Sequence, residues 1–324
     1  MRISTCIITK GDNLNSLHTA VNSVLSSSFE IIIGANNNSY GNVKELFKDI
    51  SKVKVFDQVW ENDFSKARNE TIDLATGDFI LIIDSDDILR TEIKYLTNKY
   101  DFWLVNIKHN VEAGIGRQYM DDISIRLFRN DPEIRYDNKI HETVETRIKP
   151  GHKICRSEIL IEHNGYNSSV DLKEKLERNQ SILLTDENNN IKEYLFMRHY
   201  WKLGESEKSY DYARQVIGGN YNPEMKAVAC LFLGFISLNK FNDVDACMQY
   251  LVMSLALIPK QIQARYLLIQ CLIAKSDMTA KKIVTSQLQA IESLTATDGS
   301  LLPNDIYINE TIINKIKGEI AKWQ

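Results

Sequence analysis

Residues 79–87 read Phe79-Ile80-Leu81-Ile82-Ile83-Asp84-Ser85-Asp86-Asp87. Five apolar residues run unbroken and stop at three carboxylates in four positions. A short apolar run with such a boundary reads as a strand buried on both faces. Asp84 and Asp86 stand at alternate positions past its end. Carboxylates so placed can bind a hard cation such as Mg²⁺ or Mn²⁺ together with phosphate oxygens. Asp is also common in turns, so a plain strand-to-turn cap is the alternative reading of the same residues.

Upstream, strand and helix signals alternate. Strands are expected at 3–9, 31–33 and 53–56, and helices at 14–25, 42–50 and 64–75. This order implies a largely parallel sheet covered by helices, with ligands gathered at the carboxyl ends of the strands. From 101 to 163 short strands at 103–107, 124–128 and 158–161 alternate with polar loops, which suits a mixed extension closing one side of a cleft.

After residue 167 apolar residues recur at three- and four-residue steps in successive helices. Leu233, Gly234, Ala246, Tyr250 and Pro259 follow the small-and-large pattern of a tetratricopeptide repeat. The expectation is an α/β domain over 1–167 followed by an all-α helical-repeat tail over 168–324. The aromatic residues Tyr194, Phe196, Tyr200, Trp201, Tyr210 and Tyr212 belong to core packing or to an acceptor groove on a concave face.

Composition excludes more than it selects. Lys plus Arg total 39 against 43 for Asp plus Glu, so no basic excess advertises nucleic acid or an anionic membrane. The five cysteines, Cys6, Cys155, Cys230, Cys247 and Cys271, have no CxxC spacing and read as reduced thiols rather than a metal cluster or a disulfide framework. No apolar stretch approaches a membrane span and the amino terminus lacks a signal-peptide pattern, so a cytoplasmic location is expected.

Four blocks occur in order: Ser4 to Thr9, NDFSKARNETIDLATGDFILIIDSDD, IRLFRNDPEIRYDNKIHETV and IEHNGYN. Together they resemble family 2 glycosyltransferases of the GT-A (Rossmann-like) fold. More narrowly, they are similar to the bacterial branch with tetratricopeptide-like tails, which includes S-glycosyltransferases of bacteriocin peptides. The resemblance implies a nucleotide-diphosphate sugar as donor, by default a UDP-sugar, and Mn²⁺ or Mg²⁺ as cofactor. It assigns Asp84 and Asp86, with Ser85 between them, to metal and diphosphate. Thr9, Asn36, Asp63, Arg68 and Asn69 go to the donor pocket, His141 and Glu142 to the sugar and acceptor end, and His163 to the metal. Ala35-Asn36 departs from the Asp pair of many relatives. Asn offers both a donor and an acceptor, so base recognition is open.

The residues themselves supply a separate case for Glu142. Inverting transfer needs a general base on the acceptor. A loop carboxylate near the cleft suits that role, and Asp121 and Asp122 compete for it. His141 and His163 read equally as structural imidazoles. The acceptor expected from the resemblance is a peptide or protein side chain, then a glycan or lipid. A modified nucleic-acid base is not favoured by the negative net charge. A homodimer through the helical tail is a further expectation. The rival class is a non-catalytic helical interaction protein on a degenerate transferase domain.

Overall fold

The computed structural model describes residues 1–36, 38–113, 116–164, 169–275, 278–294 and 310–322. The chain divides into two compact units, Met1–Asn189 and Asn190–Gln324. The boundary expected after residue 167 falls in 165–168, outside the described residues, and the helix that follows belongs to the first unit.

The first unit opens with β1 (Ile3–Thr9), α1 (Leu14–Val24), β2 (Glu30–Asn36), α2 (Tyr40–Leu46), β3 (Val53–Gln58), α3 (Phe64–Asp73) and β4 (Phe79–Ile82). It continues with β5 (Asp87–Leu89), β6 (Phe102–Ala113), β7 (Gly116–Arg129), β8 (Ile154–His163) and α4 (Ser169–Thr185). The eight strands form one mixed sheet in the order β3-β2-β1-β4-β7-β6-β8-β5. β1 to β4 run parallel, and β7 pairs antiparallel with both β4 and β6.

Alternation along the strands divides the core between two faces. Ile3, Ile7, Ile31, Ile33 and Leu81 pack with Leu17, Val21 and Val24 of α1. Cys6, Ile80 and Ile82 pack with Ile72 of α3 and with Phe128 and Tyr136. α1 starts where the Asn13 side chain accepts a bond from the Ser16 amide at 3.0 Å, a cap that satisfies one orphan N–H. At Gly77 a Cβ would lie 2.8 Å from the Ser4 amide nitrogen and 2.9 Å from the Arg2 carbonyl oxygen, so only glycine lets this turn lie against β1.

The amino ends of the strands are tied by Glu30, which is 3% exposed. It accepts bonds from the Ser4 hydroxyl at 2.7 Å, the Thr76 amide at 2.6 Å and Lys54 at 2.6 Å. Burial works to raise this carboxyl, but its donors outweigh that and pull it down to about 2.

Two expectations needed correction. The strand expected at 124–128 is the end of the longer β7, which pairs with β6 along their length. Polar residues such as Lys108, His109 and Asp122 hid this ribbon from a hydrophobic pattern. β5 was missed because three residues carry too little periodicity.

The second unit comprises α5 (Lys192–Lys202), α6 (Ser206–Gly218), α7 (Pro223–Asn239), α8 (Val244–Leu257), α9 (Ile262–Ala274), α10 (Lys281–Ser293) and α11 (Glu310–Ala321). Asn222 and Asp243 cap α7 and α8 through their side chains, and Pro223 sits in the first turn of α7. The pair forms a tetratricopeptide-like hairpin. A Cβ on Gly234 would stand 3.3 Å from the Cys247 carbonyl oxygen and from Leu251, so glycine sets how closely the two helices pack. Among the described residues no helix is long and apolar enough to cross a membrane.

Candidate active site

β4 ends at Ile82 and the chain turns through Asp84, Ser85 and Asp86 into β5. Asp87 braces this turn. It is 1% exposed, accepts the Asp84 amide at 2.9 Å, and lies 2.8 Å from His163 Nδ1 at the end of β8. One ligand atom each from Asp84, Asp87 and His163 lies within 4.8 Å of the others. Asp86 Oδ1 is 3.7 Å from His163 Nδ1.

α3 supplies the central cation. Asp63 caps it by accepting the Lys66 amide at 2.8 Å. Arg68 then points inward, 6% exposed. Its Nη2 donates to Asp84 Oδ1 at 2.7 Å and its Nε to Glu142 Oε1 at 2.7 Å. Arg126 of β7 donates to the other Asp84 oxygen at 3.1 Å. Burial would raise the Asp84 carboxyl, but the guanidiniums of Arg126 and Arg68 hold it well below the usual carboxylate range. Asp86 moves the other way: burial pushes its carboxyl up, and Asp84 and Asp87 add to the rise. Burial works to lower the His163 imidazole, but the bond to Asp87 and the nearby carboxylates raise it.

Asn69, one residue on from Arg68, donates to the Tyr136 carbonyl at 3.0 Å and accepts the Tyr136 amide at 2.8 Å. This pins the 136–142 segment against α3. The Tyr136 ring lies 5.6 Å from the Arg68 guanidinium, and burial pushes its hydroxyl up to about 12. His141 takes a left-handed backbone conformation, with φ of 52°, uncommon for a residue with a side chain.

Of the other expected residues, Thr9 accepts the Gly11 amide at 3.0 Å, and Asn36 ends β2, where its carbonyl accepts the Ser39 amide at 2.7 Å. Asp122 is exposed on β7 and accepts the Ile123 amide at 2.7 Å. The Asp121 side chain, Gly165 and Tyr166 lie outside the described residues.

Residues 4–141 match the family model of Glycosyl transferase family 2. Over these residues the chain has a fold like that of the family 2 glycosyltransferases. The SPbeta prophage-derived glycosyltransferase SunS of Bacillus subtilis is 26% identical over 258 residues, covering 74% of this chain and 60% of SunS. The chain therefore spans about 60% of the length of that curated relative. A TPR repeat-containing protein of Synechococcus elongatus is 36% identical over 93 residues, covering 28% of this chain and 23% of that protein. Among solved structures, S. aureus TarS 1-349 in complex with UDP-GlcNAc is 15% identical, covers 90% of this chain and 91% of that chain, and has a TM-score of 0.41.

The first unit brings Arg68, Asn69, Asp84, Asp86, Glu142 and His163 into one cluster. Sequence reasoning missed Arg126, Asp87 and Tyr136. Arg126 had a usable signal, a cation between the apolar Ile125 and Leu127, which are both buried. Asp87 had none, since three neighbouring aspartates look alike until one of them is buried.

Proposed function

We propose that this chain transfers a sugar from a nucleotide-diphosphate sugar to an acceptor, with inversion, in a reaction assisted by a divalent cation. The observation that carries the reading is the Arg68 fork, which joins Asp84 at the strand end to Glu142 on the neighbouring loop. A carboxylate for the donor and a carboxylate for the acceptor thus share one fixed cation.

Asp84, Asp86 and His163 would hold Mn²⁺ or Mg²⁺, with the buried Asp87 beside them on His163 Nδ1. Carboxylate oxygens with one imidazole suit these ions. When bound, the cation supplies charge neutralisation to the departing diphosphate. Glu142 accepts the proton of the attacking acceptor atom, and Arg68 fixes its direction. His141 orients the sugar end of the site. Thr9, Asn36, Asp63 and Asn69 shape the donor pocket, with Ser85 beside the diphosphate. UDP-sugar is the donor of choice, and a peptide or protein side chain the acceptor, in keeping with the similarity to a prophage-derived glycosyltransferase. Five free cysteines agree with work in the reducing cytoplasm.

The test is a panel of UDP, GDP, ADP and CDP, each with and without Mn²⁺ or Mg²⁺, read by thermal shift, followed by turnover of the matching sugar nucleotide. Cation-dependent stabilisation by one nucleotide and loss of turnover in EDTA are expected. Full turnover in excess EDTA sinks the cation's role. Glu142→Gln keeps an acceptor for Arg68 and removes the basicity. It should lower kcat by about 10²–10⁴-fold and leave donor affinity near wild type. If Glu142→Gln turns over normally while Asp122→Asn is dead, the base lies on β7 instead.

A further inference from the structure

α4 follows the sheet and belongs to the first unit. Leu176, Ile182 and Leu183 are buried. Its carboxyl end is tied to the loop that carries His141 and Glu142: the Lys139 amide donates to Asp186 at 2.9 Å, Lys139 Nζ to the Thr185 carbonyl at 3.0 Å, and Asn189 to the Ile140 carbonyl at 3.4 Å.

One side chain of α4 reaches the carboxyl ends of the strands. The Arg178 guanidinium lies 5.4 Å from the centre of the Phe64 ring, at the start of α3. Phe64 in turn makes an edge contact with Trp60, just past β3, with ring centres 4.7 Å apart. Arg178 has no carboxylate in ion-pair range among the described residues, and it donates from Nε and Nη2 to the neighbouring Asn179. Burial lowers it, and the charge of Asp12, in the loop after β1, only partly opposes this. Arg178 also remains open to solvent. A solvent-exposed arginine set on an aromatic face, with no carboxylate in ion-pair range among the described residues, can take an anion with planar, forked oxygens. Phe64 follows the carboxyl end of β3, and the carboxyl ends of the strands are where an α/β sheet receives its ligand.

We infer that α4 is a strap of the donor site and that Arg178 is its contact to the phosphates of a nucleoside diphosphate. This rests on the proposed donor reading and adds to it a binding residue outside the four motif blocks. Arg178 positions the donor and takes no part in proton transfer.

The full-length chain is titrated with the nucleoside diphosphate that stabilises wild type best in the panel above, and separately with the same nucleoside lacking phosphates, by calorimetry with Mn²⁺ present. Loss of one charge-assisted contact should weaken the diphosphate about ten-fold or more in Arg178→Ala. Nucleoside affinity should stay near wild type, and Arg178→Lys should recover part of the loss. In turnover the donor KM should rise with kcat little changed. Unchanged diphosphate affinity in Arg178→Ala overturns the inference, and so does an equal loss for the nucleoside. Arg178→Gln, read the same way, replaces the alanine variant if that unfolds. A wild type that binds none of the four diphosphates overturns the donor reading itself, a different result from a wild type and a variant that bind alike.

Discussion

A guanidinium that donates to two carboxylates from different nitrogens cannot be copied by an ammonium. Arg68 meets Asp84 and Glu142 through Nη2 and Nε, and its side chain is only 7% exposed. Lysine keeps the charge but offers a point donor in place of a rigid fork. Arg68→Lys should therefore fold, bind nucleotide more weakly and lose most turnover. Arg68→Met leaves Glu142 without its cation. Breaking a buried pair costs roughly 3–5 kcal/mol. The lower end is expected here, because Asp84 keeps Arg126 and is 23% exposed. Urea unfolding measures this directly, and a methionine variant as stable as wild type would contradict the fork. The residues of the fork were legible one by one, in the SKARN and DSDD segments and in the His-Glu pair. Their union was not, because Arg68 and Glu142 stand 74 positions apart with no local mark of the contact.

Among the elements, the hairpin of α7 and α8 depends on a missing side chain. Gly234 brings the α7 backbone against the Cys247 carbonyl and Leu251. A single added carbon meets them at 3.3 Å, so Gly234→Ala asks the neighbours to yield slightly while gaining helix propensity. Gly234→Val adds two further methyls to a packed contact and should cost roughly 1–3 kcal/mol. Thermal unfolding of both variants against wild type checks this, and a valine variant with wild-type stability would disprove the close approach. The hairpin was readable because its small and large residues alternate at helical spacing. Which unit a helix joins is not written in its own periodicity. α4 has an ordinary apolar stripe, and its attachment is decided by Lys139 and Asn189, neither of which any helix pattern marks.

For the molecule as a whole, the transferase unit carries its own acid sensitivity. Glu30 ionises near 2 in the folded unit and near its ordinary 4.5 when unfolded. A lowered folded value stabilises above the unfolded value and is lost as pH falls through the folded one. The contribution should therefore fade between about pH 4.5 and about pH 2, on the order of 3 kcal/mol. Glu30→Gln should remove that slope from urea unfolding of the first unit, and a variant that follows wild type across the range would show the network to be neutral. The parallel half of the sheet was plain from its apolar runs, while the polar ribbon and the order of the last strands were not, since pairing partners there are far apart in sequence. That separation has a consequence for synthesis. β5 sits at the sheet edge beside β8, with Asp87 opposite His163, Ile88 opposite Glu162 and Leu89 opposite Ile161. A nascent chain leaves the ribosome with the acidic turn first and its brace 76 residues later. Until His163 emerges, β5 has no partner strand, so the acidic turn reaches its braced geometry only after β8 has been translated.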